Sequence, residues 1–182
     1  MTGQHQEIQV VSSALAHVLR MNYQPEAFGS VSLEISLFTE ADFANPMPAG
    51  VSLFLYDMKR NRRPPIIDWN LTPEGPFYQS PLPYDLYYLM TVWARNVPLQ
   101  QNIAAWLNEC LGRTPLLPSL LLESIAPGLF RQDTALEIIQ VGSGADGFRR
   151  PPEIPEEVRF HLSYRYVVGD VRLPRLKGLG RR

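Results

Sequence analysis

SLFLYDMKRNRRPP at residues 52–65 and PLPYDLYYLMTVW at residues 81–93 are the two stretches that decide the fold. The chain from 51 to 58 is apolar at both odd and even positions, which is typical of a strand that is covered on both faces. The second stretch is rich in Tyr, Leu, Val and Trp, residue types that pack well on a pleated surface. The sequence therefore predicts two central strands, over 51–58 and 82–94, that pair with each other.

A basic segment separates these two strands. Lys59, Arg60, Arg62 and Arg63 precede two prolines, so this segment is expected to leave the core. Trp69 belongs to the excursion that follows, which mixes prolines and a glycine with aromatic rings. Three interpretations of the cluster are open: a solvated hairpin end, an electrostatic footprint for nucleic acid, or a surface that contacts acidic groups of neighbouring subunits.

Regular patterns extend from this centre toward the N-terminus. Apolar residues recur at helical spacing over 7–22, which predicts an amphipathic helix. Strict alternation over 31–37 predicts a strand with its odd-numbered residues buried, Leu37 among them. The two prolines and the glycine of 43–50 predict a loop before the first central strand.

Further elements follow toward the C-terminus. They are a helix from Pro98 that ends before Gly112, a leucine-rich segment over 114–124 that favours a short buried helix over a strand, and a strand over 134–141 whose pattern would also suit a helix. A flexible connection over 142–147 and a half-exposed strand over 158–168 follow. The last residues, 173–182, are basic and contain glycine. Together these elements predict an α+β fold, with one twisted antiparallel or mixed sheet and two to three helices packed on it. We expect a single domain over 1–170 and a basic tail over 171–182.

Composition and charge limit the classes of protein. The 182 residues are 45% hydrophobic and 19% charged, which is typical of one folded domain. Lys and Arg number 17 against 18 for Asp and Glu, so no global field favours nucleic acid or an anionic membrane. The single Cys110 excludes an internal disulfide and a cysteine-based zinc site. The polar start of the chain and the absence of a long apolar run predict a soluble, cytoplasmic product.

Residues that often carry chemistry are scattered along the chain. His5, His17 and His161 share no spacing that suits a metal site. Ser12 and Ser13 lie on the polar side of the first helix and lack the glycines of a nucleophile elbow. We therefore assign no metal ligand and no nucleophile among them.

Two further candidates also have simpler explanations. The glycine-rich segment 142–147 lacks the Lys-Ser/Thr ending of a phosphate loop, so a plain connection is favoured. Asp57, Asp68 and Asp85 could act as paired carboxylates only if the fold brought them together. The sequence therefore predicts no catalytic residue, no metal and no cofactor, and it favours a protein that is not an enzyme.

The order of these elements resembles the cap proteins of extracellular contractile injection systems. The matching features are a strand of the LFLY type ending near Asn61, a proline-led strand including 86–91, a helix ending in the pair Leu111-Gly112, a proline-flanked leucine segment over 114–122 and a late strand over 162–168. The resemblance covers most of 8–168. Each feature is a packing pattern, and none is a chemical signature.

The resemblance implies a tail-terminator-like fold and a homohexameric ring on the distal end of an inner tube and a contractile sheath, where the ring stops further polymerisation. The implied partners are other copies of the chain, the inner tube protein and the contractile sheath protein, in a phage-tail-like particle, with no membrane and no nucleic acid. The residues expected at subunit or partner interfaces are Lys59, Arg60, Arg62, Arg63, Trp69, Arg159, Arg165, Arg172, Arg175 and Lys177. We also expect the 158–168 strand to form an exposed sheet edge that, with the tail, exchanges strands with neighbours.

Other functions stay open. A tail-completion or connector protein of a phage or a related secretion machine would share the ring and the fold. The basic segment 59–63 suggests a nucleic-acid-binding module, whose binding would weaken steeply with salt. An enzyme is the third alternative, and no constellation of residues supports it.

Overall fold

The structure is a computed structural model that describes residues 6–61, 82–131, 134–142 and 161–173. Within these ranges the chain forms three α-helices, six strands and two short 3-10 helices. In chain order they are α1 (Gln6–Asn22), a 3-10 helix (Pro25–Phe28), β1 (Glu34–Phe38), a 3-10 helix (Glu40–Ala44), β2 (Gly50–Arg60), β3 (Leu82–Trp93), α2 (Val97–Arg113), β4 (Leu116–Leu117), α3 (Ser119–Ile125), β5 (Leu136–Gln140) and β6 (Ser163–Leu173).

The six strands form one mixed sheet in the order β1-β2-β3-β6-β5-β4. β1 runs parallel to β2, and every other neighbouring pair is antiparallel. The predicted pairing of the two central strands is confirmed, because Val51 lies opposite Val92 and Leu53 opposite Met90. The α+β class with a mixed sheet and three helices is confirmed as well.

The main core lies between the three α-helices and one face of the sheet. Val11, Leu15 and Leu19 form the buried stripe of α1, and each is 0% exposed. Burial of such a side chain contributes about 1.5–3 kcal/mol. The hydroxyl of Tyr88 on β3 lies 2.8 Å from Ser12 Oγ, which fixes α1 on the sheet. The predicted amphipathic helix over 7–22 is therefore confirmed.

The second helix begins as its sequence predicts and ends slightly later. Asn96 is the N-cap, and its side chain accepts a hydrogen bond of 2.9 Å from the Leu99 N–H. Pro98 occupies the first turn, where a missing N–H costs little. The predicted end before Gly112 is wrong, since α2 includes Gly112 and ends at Arg113.

The short buried helix predicted over 114–124 is partly wrong. Leu116 and Leu117 instead form β4, which pairs with Glu137 and Leu136 of β5. The helix begins only at Ser119, because Pro118 has no N–H and holds an extended conformation before it. Similarly, Leu37 is 45% exposed rather than buried, because β1 is an edge strand with a neighbour on one side only.

The last strand differs most from its prediction. β6 lies between β3 and β5, so the expectation of an exposed edge at 158–168 is wrong for its described part. β6 also continues to Leu173, so 171–173 belong to the sheet and not to a tail. The tail residues 174–182 and the connection at 143–147 lie outside the described residues.

A candidate docking surface on the helix-free face of the sheet

The second face of the sheet carries none of the described α-helices, and we call it the helix-free face. Side chains alternate along a strand, so the residues between the core positions point to this face. The strand register joins Asp57, Tyr87, Val167 and Ile139 in one row across β2, β3, β6 and β5. The ring of Tyr56 lies 6.2 Å from that of Tyr87 at a bulge in β2. The row is thus mainly aromatic and aliphatic.

One end of the helix-free face is covered by a small second core. Phe43 and Met47, in and after the second 3-10 helix, pack with Trp93 of β3. The indole N–H of Trp93 donates a 2.8 Å hydrogen bond to Ser52 Oγ, and both residues are buried. The ring of His161 lies 4.5 Å from Trp93 on the same end. This packing holds β1, β2 and β3 in a fixed arrangement.

The row that begins at Asp57 on β2 is open to solvent where it ends, at Ile139 on β5. Ile139 is 46% exposed, and its neighbour Val167 is half-buried. Leu116 is also 46% exposed, and it lies opposite Glu137, two residues before Ile139 on the same face. Such diagonal neighbours lie about 7–8 Å apart. The exposed apolar side chains therefore extend the row to the edge strand β4.

The charged groups of the helix-free face are mostly paired. Lys59 Nζ lies 3.4 Å from an Asp57 oxygen and 4.8 Å from the centre of the Tyr87 ring. Arg172 lies 3.6 Å from an Asp170 oxygen. These pairs are partly exposed, so each contributes little to stability.

Arg165 differs from these pairs. It lies on β6 opposite Leu89, half-buried, and no carboxylate of the described residues forms an ion pair with it. Its charge is close to the hydroxyl of Tyr56. Burial raises the pKa of Tyr56, and the positive charges of Arg165 and Lys59 oppose that rise. A guanidinium beside aromatic rings is the kind of group that anchors protein interfaces.

The ten interface residues expected from the sequence are only partly described. Lys59, Arg165 and Arg172 lie on the helix-free face, with Arg165 and Arg172 at different ends of β6. Arg60 is exposed at the end of β2, where the alternation of the strand turns it to the helix side. The remaining six lie outside the described residues: Arg62, Arg63, Trp69, Arg159, Arg175 and Lys177.

Sequence reasoning missed the apolar part of this surface. Tyr56, Tyr87, Val167 and Ile139 appeared only as members of strands, without a role. Alternation along 164–168 already separates Val167 from the buried Tyr166 and Val168, so a signal was present for it. No such signal exists in β2, because a bulge between Leu55 and Asp57 interrupts the alternation.

The two edges of the sheet offer little backbone for strand exchange. On the outer side of β1, Arg20 donates to the Ile35 carbonyl, and the Tyr23 hydroxyl donates to the Val31 carbonyl and accepts from the Leu33 N–H. These side chains occupy positions that an added strand would need. On the opposite edge β4 has only two residues. The described edges therefore favour contacts through side chains.

Among the residues considered for chemistry, Ser12 and Asp85 form hydrogen bonds that join parts of the fold. Ser12 Oγ donates to the Ile8 carbonyl and bonds the Tyr88 hydroxyl. Asp85 Oδ1 accepts from the Asn61 side chain at 2.9 Å and from the Asp170 N–H at 3.1 Å. Burial raises the pKa of the Cys110 thiol.

The described residues offer neither a metal site nor a membrane-spanning helix. They contain no group of three or more His, Cys, Asp or Glu residues that could hold a metal ion. None of the helices described here is long and apolar enough to span a membrane.

The chain matches a protein-family model and a solved structure. A family model described as the Pvc16 N-terminal domain matches residues 10–146. A solved structure of a PVC sheath/tube terminator, from an extracellular contractile injection system in its extended state, is 16% identical with a TM-score of 0.53. That match covers 99% of this chain and 64% of the terminator chain, so this chain spans a little under two thirds of its length. No curated protein matches the chain.

Proposed function

Because the chain belongs to the Pvc16 N-terminal domain family, we propose that it is a structural terminator that ends the inner tube and sheath of a contractile injection system. The observation that carries the proposal is the family match over 10–146. It is supported by the fold, which is that of a sheath/tube terminator over nearly the whole chain.

A terminator acts by shape and charge and needs no reactive group. It presents one surface that matches the last ring of a polymer and withholds the surface that the next ring would need. Its partners would be the inner tube protein, the contractile sheath protein and other copies of itself. A closed ring of six copies would match a sixfold tube, and each subunit would then use two different patches for its neighbours.

The helix-free face is suited to such protein contacts. It combines half-buried Tyr56 and Tyr87 and exposed Ile139 with Arg165, which has no ion pair among the described residues. Aromatic residues and arginine dominate the binding energy of protein interfaces, and rigid strands lose little entropy on binding. The residues expected at interfaces but not described, such as Trp69 and Arg159, stay part of the proposal.

The test uses the full chain with the tube and sheath proteins of the same gene cluster. Mass photometry gives the oligomeric state, and negative-stain microscopy after mixing locates the protein on the particles. A gold-labelled tag should lie at one end of each particle, and free tubes should stop growing at that end. An unrelated protein of similar size with the same tag is the control. Binding along the whole length, or no binding to either polymer, would contradict the proposal.

A further inference from the structure

Glu7 is a buried carboxylate in the first turn of α1. It continues the buried stripe of the helix, one turn before Val11, and it is only 7% exposed. Among the described residues its Oε2 atom has no hydrogen-bond partner, and no base forms an ion pair with it. The helix dipole favours a carboxylate in the first turn, but this effect is small beside the cost of burying an unpaired charge. The position of Glu7 therefore indicates a cationic partner outside the described residues.

The first turn of α1 lies on the β6 side of the sheet. In the last turn of the helix, Arg20 donates to the Ile35 carbonyl of β1. In the middle of the helix, Ser12 bonds the Tyr88 hydroxyl of β3. The helix thus crosses the sheet from β1 toward β6 when it is followed back to its start, and it packs on β6 as well. Glu7 therefore lies over the part of the core that β6 closes.

The last residues of β6 belong to the same core. Val171 and Leu173 are 0% and 4% exposed, and both face the helix side of the sheet. Side chains alternate along a strand, so position 175 shares this side if the chain continues in the same direction. The residue before a proline favours an extended conformation, so the pair Leu173-Pro174 favours that continuation. Position 175 is an arginine, in a segment over 174–182 that holds four bases and no acid.

We infer that Arg175 binds the buried carboxylate of Glu7 and thereby docks the chain that follows β6 against the first turn of α1. Two residues of extended chain span about 7 Å beyond Leu173, and the long arginine side chain extends that reach. Arginine suits this role better than lysine, because a guanidinium donates two parallel hydrogen bonds to a carboxylate and is more weakly hydrated.

The contact joins two parts of one subunit, so the inference does not depend on the proposed function. It assigns Arg175 to its own subunit and removes it from the residues expected at interfaces, whereas Lys177 stays among them. The pair would also hold the chain that leaves the sheet in a fixed place, so this chain would not be free to exchange strands with a neighbour.

Single and double substitutions in the full chain test the inference. The variants are Glu7→Gln, Arg175→Gln and the two together. Lys177→Gln and Arg181→Gln are the controls, because each removes one positive charge from the same segment. Urea unfolding with a common m-value gives the equilibrium constant of folding for each protein.

Arg175→Gln should lower the equilibrium constant of folding by about a hundredfold, because it leaves Glu7 charged, buried and unpaired. Glu7→Gln should lower it less, because the guanidinium can then return to water. The double variant should be no less stable than Arg175→Gln alone, which is the sign that the two residues act as a pair. Each control should change the constant by no more than about twofold.

Proteolysis gives a second measurement, which follows the contact itself. Trypsin cleaves after arginine, so the Glu7–Arg175 pair should protect the bond after Arg175 in the wild type. Glu7→Gln should raise the rate of this cleavage by about tenfold or more, as mass spectrometry of the released fragment shows. Glu109→Gln, which removes an exposed carboxylate on α2, is the matched control. Glu7→Asp, whose shorter side chain also weakens the pair, replaces Glu7→Gln if that protein fails to fold.

Four results would overturn the inference. A gain in stability for Glu7→Gln would show that the carboxylate is unpaired, since a neutral side chain is then easier to bury. Losses that add in the double variant would show that the two residues act independently. A loss for Lys177→Gln or Arg181→Gln as large as that for Arg175→Gln would assign the carboxylate to another cation. An unchanged rate of cleavage after Arg175 in the Glu7 variant would show that no such contact protects this bond.

Discussion

The substitution Gly50→Ala should destabilise the protein by separating β1 from β2. Gly50 has a φ of +153°, a conformation that residues with a side chain rarely adopt. A Cβ at this position would collide with the Glu34 carbonyl oxygen and would lie 2.7 Å from Met47 Sδ. The methionine side chain can move, but the carbonyl belongs to the β1 residue that pairs with Gly50. Relief of the contact therefore requires the parallel pair to open.

The size of the effect follows from two contributions. The backbone strain costs about 1–3 kcal/mol, and each ladder hydrogen bond lost at the end of β1 costs about 0.5–1.5 kcal/mol. The sum of the two is a loss of about 3 kcal/mol in the free energy of unfolding. For a chain of this size that corresponds to a fall in Tm of roughly 6–12 °C.

Substitutions at two other glycines separate the cost of backbone strain from the cost of a steric collision. Gly29 has a φ of +63°, and a Cβ added there would meet no atom within 4 Å, so Gly29→Ala should cost only the conformational strain, about 1–2 kcal/mol. Gly112 lies inside α2 with open space around it, so Gly112→Ala should stabilise by about 0.5–1 kcal/mol. Urea unfolding with a common m-value measures all three. A loss for Gly50→Ala no larger than that for Gly29→Ala would refute the reasoning.

Three further predictions concern contacts at the helices and the sheet. Ser12→Ala should destabilise the protein by about 1–3 kcal/mol, because it leaves the buried Tyr88 hydroxyl without an acceptor. Tyr88→Phe removes that hydroxyl as well and should cost only about 1 kcal/mol. Equal losses for the two variants in urea unfolding would argue against this hydrogen bond. Asn96→Ala should cost about 1 kcal/mol because the Leu99 N–H loses its cap, and Asn96→Asp should restore most of it in the same assay. Burial raises the pKa of Tyr166 to about 12, whereas the ordinary pKa of tyrosine is about 10. The contribution of Tyr166 to stability is therefore complete below about pH 10 and is lost as the pH rises toward 12. Tyr166→Phe should make the decline of Tm over this pH range less steep, and an unchanged slope would contradict the prediction.

The central part of the fold could be predicted because its patterns are local. The apolar stripe of α1 and the apolar composition of β2 and β3 each require burial, and composition still predicts the strands although a bulge interrupts the alternation of β2. The start of α2 likewise follows from a capping residue and a proline in the first turn. Burial and capping are properties of neighbouring residues, so one sequence reveals them.

The sheet order and the last strand could not be predicted, because they depend on distant residues. Asp170 has a φ of +58°, and its N–H bonds Asp85 Oδ1 from β3. Because of this irregularity, the next buried residue after Val168 is Val171 and not the residue at position 170. The alternation that the sequence shows therefore ends at Val168, although the strand continues. Its place between β3 and β5 then removes the edge that the half-polar pattern suggested.

Only the charged residues of the candidate surface were predicted from the sequence. Lys59, as part of the basic segment after the first central strand, and Arg165 were expected at interfaces, and the register places both on one face. The apolar half of the surface, from Tyr56 to Ile139, looks like ordinary core in the sequence. Only the placement of all described α-helices on the other face distinguishes it from the core.

Tail length tests the central claim most directly. Particles are assembled with and without this protein, and their lengths are measured in electron micrographs. A terminator predicts one narrow length distribution in its presence, and long or uncapped tubes and sheaths without it, restored by the wild-type chain. Identical length distributions and identical particle ends in both preparations would contradict the account.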